Sequence, residues 1–239
     1  MPMRHVIIGG VAGGATAAAK LRRIDEHAEI TLLERGPDIS FANCGLPYYI
    51  GDVINKREKL LLQDPESFYR RYRVQVKVLH DVKKIDRDKK TIEVLDIQSE
   101  KMIEMPYDRL LLSPGGAPLR PSLPGIDSHR IFTLRNVPDT DQIKGWIQSH
   151  PVSRVIIAGA GFIGLEVAEN LKELGIQVAV VEMAPQIMAP FDPEMAAYLQ
   201  QHLRQKGIHL YLGDGVKEFI DPGKGTIRVL LQSGKAISA

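Results

Sequence analysis

A repeated glycine-rich segment constrains the fold of this chain more than any other feature. "HVIIGGVAGGATAAAKLRRIDEHAEITLLE" ends at Glu34, and "RVIIAGAGFIGLEVAENLKELGIQVAVVE" ends at Glu182. Each copy has an apolar strand, a glycine-rich turn, a helical stretch, a second apolar strand and a final glutamate. The equivalent glycines of the two copies are Gly9 with Gly159 and Gly14 with Gly164. The repeat predicts an α/β fold with two Rossmann-like βαβ units.

The pattern has a direct physical meaning for nucleotide binding. The first glycine permits a tight turn, small residues after it let a pyrophosphate approach the backbone, and the last glycine lets helix and strand pack closely. The helix N-terminus supplies N–H groups to the phosphates, and the glutamate accepts hydrogen bonds from a ribose diol. The second copy has the full fingerprint, whereas the first has Val11 at the middle position, followed by Gly13 and Gly14. Both copies keep the glutamate, so both are predicted to bind a dinucleotide.

Charge and composition exclude several other classes of protein. The formal net charge is only +2 over 239 residues, without a dense Lys/Arg block, which argues against nucleic acid as a partner. No apolar run reaches the roughly 20 residues needed to cross a bilayer, and no signal-peptide pattern precedes the first strand. A single cysteine, Cys44, indicates a reducing, cytoplasmic compartment. The seven histidines show no metal-ligand spacing, so no metal site is predicted.

Local signals predict three helices besides those of the repeats. Residues 44–56 and 65–72 are expected to be helical, the second with Asp64 as its cap and Pro65 in its first turn. A later helix is expected to begin at Asp192 and to end at Gly207.

Short alternating stretches predict the remaining strands. "VQVKVL", "KTIEVLDI" and "KMIEM" predict a β-meander inserted in the first half, and "RLLLS" predicts a return strand. "SPGGAPLRPSLPG", residues 113–125, is the best candidate for a domain boundary. Further strands are expected in "IHLYLG", "VKEFI" and "TIRVLLQSG", and the closing "GKAISA" is expected to lie inside a strand.

Together these features resemble the pyridine nucleotide-disulfide oxidoreductases, a family of FAD flavoproteins. Within that family the resemblance is to a single-cysteine branch of coenzyme A-disulfide reductases, NADH-dependent persulfide reductases and NADH oxidases. The segments that carry the resemblance are "IIGGVAGGATAAAKLRR", "ERGPDISFANCGLPYYIGDVI", "YDRLLLSPGGAP", "FTLRNVPDTD" and "VIIAGAGFIGLEVAENLKELG". They span nearly the whole chain in the expected order, and the Ser-Phe-x-x-Cys-x-x-Pro segment is specific to that branch.

The resemblance implies a cofactor for each repeat. Residues 1–117 would form the FAD-binding domain, 118–150 a linker, and 151–239 a truncated NAD(P)H-binding domain. The residues implied for FAD are Gly9, Gly13, Gly14, Glu34, Arg35, Val82, Ser113, Pro114 and Gly115. Those implied for the nicotinamide nucleotide are Gly159, Gly161, Phe162, Ile163, Gly164, Glu166 and Glu182. Because the carboxylate of Glu182 repels a 2′-phosphate and no arginine follows it, NADH is favoured over NADPH.

Cys44 has two interpretations from the residues alone. A free cysteine is often a small buried hydrophobic group. At the start of a helix, in contrast, the helix dipole would stabilise its thiolate, with Asn43 and Ser40 as hydrogen-bonding neighbours. A lone cysteine needs an external partner: a thiol such as coenzyme A, a persulfide sulfur, or oxygen as a sulfenate. The resemblance implies that its sulfur passes electrons between reduced flavin and that partner.

Three functions follow from the resemblance. The first is reduction of coenzyme A disulfide or a persulfide, with Arg22, Arg23 and Arg71 near the phosphates of coenzyme A, although Arg71 is equally explained as a surface charge. The second is an NADH oxidase or peroxidase, whose members usually carry a histidine in the first glycine turn, where this chain has Val11 and Ala12. The third is an inactive nucleotide-binding fragment. Relatives continue into a dimerisation domain, so this chain is expected to be the impaired N-terminal half of a homodimeric enzyme.

Overall fold

The computed structural model describes residues 2–223 and 225–239, and its chain divides into two compact units. The first unit comprises Met1–Ala42 and Arg57–Ala117, and the second comprises Asn43–Lys56 and Pro118–Ala239. The predicted first domain also ends at residue 117. The short segment that carries Cys44, and the predicted linker 118–150, are grouped with the second unit.

Both units contain helices and strands. The helices are α1 (Ala12–Ile24), α2 (Leu46–Ile50), α3 (Pro65–Tyr72), α4 (Val137–Ser149), α5 (Phe162–Glu173) and α6 (Pro193–Gln205). The strands of the first unit are β1 (Arg4–Ile8), β2 (Glu29–Leu33), β3 (Gln75–Lys77), β4 (His80–Asp86), β5 (Thr91–Asp96), β6 (Lys101–Pro106) and β7 (Arg109–Leu112). Those of the second unit are β8 (Arg154–Ala158), β9 (Gln177–Glu182), β10 (His209–Leu212), β11 (Val216–Ile220), β12 (Arg228–Leu231) and β13 (Ala236–Ser238).

A parallel sheet in the order β3-β2-β1-β7 forms the centre of the first unit. Its strands are apolar on both faces because both faces are covered. Ile7 of β1 packs in a cluster with α1 and Phe68 of α3, whereas its neighbour Val6 packs with Ile92 and Val94 of β5. The helices therefore lie on one face of this sheet and the antiparallel sheet β4-β5-β6 on the other.

The predicted meander is present, but the segment predicted to be its first strand was wrong. The stretch "VQVKVL" contains β3, which pairs in parallel with β2 and so belongs to the central sheet. The first strand of the meander is β4, which the sequence did not indicate. Its alternation is broken by a register shift between Val82 and Lys84, which hides the pattern of period two. The predicted return strand is β7, which pairs in parallel with β1.

The second unit contains a parallel sheet in the order β10-β9-β8 and an antiparallel sheet in the order β11-β12-β13. Its largest buried cluster joins β9 to α5 and also includes Ile50 of α2. Val180, Ala168 and Ile187 of this cluster are fully buried. The segment that carries Cys44 is thus part of a hydrophobic core of the second unit.

Two of the three additional helices form as predicted. Asp64 accepts a hydrogen bond from the Ser67 amide at 2.8 Å, and the Ser67 hydroxyl accepts one from the Asp64 amide at 3.0 Å. The helix α6 follows Asp192 and stops before Gly207, whose φ is +74°.

The helix predicted over residues 44–56 was too long. Residues Asn43–Gly45 form a 3₁₀ turn, and α2 has only five residues before it ends at Gly51. Asp52 then adopts a left-handed φ of +62°, which takes the chain out of the helical path.

An ion pair between Arg4 of β1 and Asp108, which precedes β7, predicts a dependence of stability on acid pH. Asp108 accepts hydrogen bonds from the Arg4 guanidinium at 2.9 and 3.2 Å and from its amide at 2.8 Å. The guanidinium holds the pKa of Asp108 at about 2, below its ordinary value of 3.8. Because this pKa is lowered on folding, the pair stabilises the fold above about pH 4 and loses that effect as the pH falls towards 2.

We therefore expect Asp108→Asn to destabilise the chain modestly at pH 7, since both side chains are partly exposed. The difference from the unaltered chain should disappear between about pH 4 and pH 2. Urea denaturation of both proteins across this range measures it. A difference that stays constant down to pH 2 would contradict the assigned role of the carboxylate.

Candidate functional site

The first glycine turn is built so tightly that its glycines are required by the protein itself. Gly9 has a φ of +99°, and a Cβ there would lie 2.0 Å from the carbonyl oxygen of Ser113. A Cβ on Gly13 would lie 2.4 Å from the Ser113 hydroxyl, and one on Gly14 would lie 1.8 Å from the Gly9 carbonyl. The structure thus brings together β1, the start of α1 and Ser113, the residue after β7.

Glu34 ties the end of β2 to this turn. Its two carboxylate oxygens accept hydrogen bonds from the amides of Gly10 and Gly36, each at 2.7 Å. A carboxylate has about four lone-pair positions, so acceptor capacity remains for a ribose diol. The other residues implied for FAD lie in the same unit: Arg35, Pro114 and Gly115 are exposed, and Val82 is half-buried beside the bulge of β4.

The second glycine turn repeats this arrangement. Glu182 accepts hydrogen bonds from the amides of Ala160 and Ala184, both at 2.8 Å. Gly159 has a φ of +107°, and a Cβ on Gly164 would lie 2.2 Å from the Gly159 carbonyl. The carboxylate therefore fixes the turn in the same way as Glu34 does in the first unit.

Gly161 differs from Gly159 and Gly164 because the fold does not require a glycine at its position. Its backbone is extended, with φ −81° and ψ −175°, and no atom lies within 4 Å of a Cβ built on it. The open space lies at the N-terminus of α5, where amide groups are available to an anion. Neither a positive φ nor a close contact requires a glycine here, and its position as the N-cap of α5 is one that glycine favours.

The residues that follow on α5 are accessible at its first turn. Phe162 and Ile163 are 59% and 56% exposed. The ring of Phe162 meets that of Phe191 edge-on at 6.2 Å, a contact that the sequence did not predict. Glu166 is half-buried one turn further along the helix.

The duplication extends beyond the segments identified from the sequence. Ile39 and Ile187 are both fully buried. Their successors, Ser40 and Met188, both have a positive φ, and their amides donate to the carbonyls of Gly10 and Ala160 at 3.0 and 2.9 Å. In the sequence, this extension of the repeat is visible as the similar segments "GPDI" and "APQI", which follow the two glutamates. Ser40 is thereby held in the first unit through its backbone.

Cys44 is exposed on the 3₁₀ turn Asn43–Gly45 of the second unit. Its exposure excludes the interpretation as a small buried hydrophobic group. The predicted stabilisation of a Cys44 thiolate by a helix dipole is not supported, because α2 has only five residues. The side-chain oxygen of Asn43 accepts a hydrogen bond from Arg135 at 3.2 Å, a partner that the sequence did not predict.

The three arginines considered for coenzyme A have different environments. Arg22 donates five hydrogen bonds to backbone carbonyls, namely those of Asp25, Glu26, Ala28, Tyr72 and Arg73. A guanidinium has five N–H donors, so none remains for a phosphate. Arg23 and Arg71 are exposed, and Arg71 lies over the Tyr72 ring at 5.3 Å.

Neither a membrane span nor a metal cluster is found in residues 2–223 and 225–239. No helix in these ranges is both long and apolar enough to span a membrane. In the same ranges, no three His, Cys, Asp or Glu side chains are grouped in a way that could hold a metal ion.

Comparison with known proteins decides the family. The sequence pattern of the family described as "Pyridine nucleotide-disulphide oxidoreductase" matches residues 3–239. The chain belongs to this family. The resemblance inferred from the sequence and the predicted α/β fold are both confirmed.

Curated relatives share the sequence over about half of their own length. The coenzyme A disulfide reductase of Staphylococcus aureus strain JH9 is 39% identical over 230 residues, which are 96% of this chain and 51% of the relative. That of Staphylococcus haemolyticus is 39% identical over 211 residues, 88% of this chain and 47% of the relative.

Solved structures share the fold. The reduced CoADR-RHD of Bacillus anthracis is 47% identical, with a TM-score of 0.95 over 99% of this chain and 42% of that one. The NAD-dependent persulfide reductase of A. fulgidus is 32% identical, with a TM-score of 0.94. The match covers 99% of this chain and 44% of that one. The water-forming NADH oxidase of Lactobacillus brevis is 28% identical, with a TM-score of 0.90. The match covers 98% of this chain and 51% of that one.

Proposed function

We propose that this chain is the nucleotide-binding part of a flavoprotein that passes electrons from NADH, through FAD, to Cys44, which reduces coenzyme A disulfide or a persulfide. The observation that carries the proposal is the position of the only cysteine, exposed on a turn of a chain with two dinucleotide-type glycine turns. The names of the relatives, coenzyme A disulfide reductase and persulfide reductase, support it. We place the enzyme in the cytoplasm, as a homodimer in its full length.

The residues of the first unit fit the ADP end of FAD. The glycines Gly9, Gly13 and Gly14 let β1, the start of α1 and Ser113 meet at one turn, and Glu34 keeps acceptor capacity for the ribose. We assign Arg35, Val82 and the segment 113–115 to the same cofactor. When bound, FAD supplies the electron transfer between a hydride donor and a sulfur, and the protein supplies binding and orientation.

The second unit fits NADH. The open approach at Gly161 suits a pyrophosphate. The fixed carboxylate of Glu182 suits a ribose diol and repels a 2′-phosphate, so we propose NADH over NADPH. Phe162, Ile163 and Glu166 would then lie towards the nicotinamide.

Cys44 would act as the nucleophile towards the substrate. Its thiolate attacks one sulfur of coenzyme A disulfide, the S–S bond breaks, and one coenzyme A leaves as a thiolate that takes a proton. Two electrons that originate from NADH then cleave the mixed disulfide and release the second coenzyme A. The sum is NADH, one proton and one disulfide converted to NAD⁺ and two thiols. Arg23 and Arg71 remain as candidates for binding the phosphates of coenzyme A. We expect the 239-residue chain alone to be impaired in turnover.

The intact mass of the chain tests the role of Cys44. Under non-reducing, denaturing conditions we expect a gain equal to one coenzyme A after exposure to coenzyme A disulfide. The gain should disappear on treatment with a thiol reductant and should be absent in Cys44→Ser, which removes the nucleophile but keeps the shape of the residue.

The other outcomes of the mass measurement separate the alternatives. A gain of oxygen atoms alone after exposure to peroxide would favour an NADH oxidase or peroxidase that cycles a sulfenate, as the likeness to the Lactobacillus brevis oxidase allows. A thiol that stays unmodified under both conditions would leave this chain as a nucleotide-binding fragment and would refute the proposed chemistry at Cys44.

A further inference from the structure

The segment that carries Cys44 is attached to the rest of the second unit by side chains that the proposed chemistry does not use. We propose that Lys144 and Arg135 are positioning residues, which hold this segment so that the Cys44 sulfur is oriented towards a large disulfide. The inference rests on the proposed function of Cys44. All the groups involved lie in the second unit.

Lys144 fixes the far end of the segment. Although charged, this α4 residue is only 8% exposed. Its ammonium donates to the Tyr49 carbonyl at 2.6 Å and to the Asp52 carboxylate at 2.5 Å, and it lies 4.0 Å from the centre of the Tyr49 ring. A buried ammonium is costly unless it is paired and hydrogen-bonded, so these contacts hold Tyr49 and Asp52 in fixed positions.

Arg135 fixes the near end of the segment. Its guanidinium donates to the side chain of Asn43, the residue before Cys44, at 3.2 Å. Its own backbone is anchored, because the Arg135 amide donates to Asp139 at 2.7 Å within the capped start of α4. The two cations, Arg135 just before α4 and Lys144 within it, therefore contact both ends of the segment.

A close backbone contact completes the attachment. A Cβ on Gly51 would lie 2.4 Å from the side-chain oxygen of Asn170, which is a buried residue of α5. Ile50, just before it, is 1% exposed. The end of α2 thus packs directly on α5, and the Cys44 turn has little freedom to reorient.

Orientation should matter more for a large disulfide than for a small alkylating reagent. Cys44 is exposed, so a small reagent can approach its sulfur from many directions. A thiolate must attack a disulfide along the S–S bond, and a bulky substrate reaches that alignment only if the turn presents the sulfur at a fixed angle.

The test compares Lys144→Met with Lys144→Arg, and with Lys217→Met as a matched control at an exposed lysine of β11. Mass spectrometry gives the rates at which the single cysteine reacts with iodoacetamide and with coenzyme A disulfide. For Lys144→Met we expect a rate with iodoacetamide comparable to that of the unaltered chain. We expect the rate with coenzyme A disulfide to fall about tenfold to a hundredfold. Lys144→Arg, which keeps the charge, should recover part of the lost rate with coenzyme A disulfide. Arg135→Met should lower that rate as Lys144→Met does.

Amide hydrogen exchange supplies a readout that does not need the substrate. The amides of Gly51 and Ile54 donate to the carbonyls of Pro47 and Tyr48 at 3.1 and 3.0 Å. In Lys144→Met both should exchange faster, while the amides of β9 stay protected and show that the unit is folded.

The outcomes distinguish this inference from the proposed function. If Lys144→Met reacts with coenzyme A disulfide as fast as the unaltered chain, the positioning role is overturned. If the unaltered chain reacts with coenzyme A disulfide no faster than with hydroxyethyl disulfide, the proposed substrate fails instead. In that case the exchange at Gly51 and Ile54 decides: faster exchange supports the attachment by Lys144, and unchanged exchange overturns it.

Discussion

Gly14→Ala should destabilise the chain by about 3 kcal/mol, because the added methyl group has no place to go. Its Cβ would lie 1.8 Å from the Gly9 carbonyl oxygen. Gly9 cannot shift easily, since its amide donates to the Leu33 carbonyl at 2.8 Å and its positive φ is set by the turn. Alanine gains about 1 kcal/mol in helix propensity over glycine, which is less than this steric cost. Urea denaturation measures the loss, and Gly164→Ala, with its contact at 2.2 Å, should follow in the same direction.

Gly161→Ala is the matched control for these variants. Nothing lies within 4 Å of the new methyl group, and alanine is disfavoured only as an N-cap residue, so stability should fall by no more than about 1 kcal/mol. NADH binding, measured by calorimetry, should nevertheless weaken, because the methyl group would fill the approach to the backbone. If Gly14→Ala and Gly161→Ala were equally stable, the turns would be more adaptable than their contacts indicate.

The glycine turns could be predicted from the sequence because there the residue type specifies the backbone directly. Only glycine readily adopts the positive φ of Gly9 and Gly159, and only a missing side chain lets α1 and α5 approach the preceding strands. The cap of α3 was predictable for the same reason, since Asp64 and Ser67 interact across three residues of chain. Such local signals are complete within a short window of sequence.

The elements that were missed depend on distant partners. The strand β4 has a broken alternation and is defined by its pairing with β5. The early end of α2 accompanies a glycine that packs against Asn170, far along the chain. The contacts of Arg135 and Lys144 with the Cys44 segment join residues more than 90 positions apart. Without the fold, nothing in the sequence relates such residues to each other.

Arg22 shows how the same limitation affects the assignment of a function. From the sequence it is a basic residue near the end of α1 and was considered for the phosphates of coenzyme A. In the structure its guanidinium joins three chain segments: the end of α1, the start of β2 and the end of α3. The carbonyls that it binds lie at 2.7 to 3.1 Å. Its role in the first unit is therefore to satisfy backbone acceptors at helix ends.

Arg22→Met should consequently lower the free energy of unfolding by about 2–4 kcal/mol, because hydrogen bonds from a charged donor are lost and several partly buried carbonyls are left unpaired. Arg22→Lys should recover only part of this, since an ammonium has three donors without the planar fork of a guanidinium. Urea denaturation of the two variants measures both effects.

Arg23→Met is the control for this prediction, because Arg23 is exposed and its guanidinium donates within its own helix, to the Ala19 carbonyl at 3.2 Å. It should change the free energy of unfolding little, because this bond joins only residues of α1. The opposite pattern, in which Arg22→Met leaves stability unchanged and weakens only the reaction with coenzyme A disulfide, would return Arg22 to the substrate site. The five carbonyls favour the first pattern, since a guanidinium released to hold a phosphate would leave all of them without this donor.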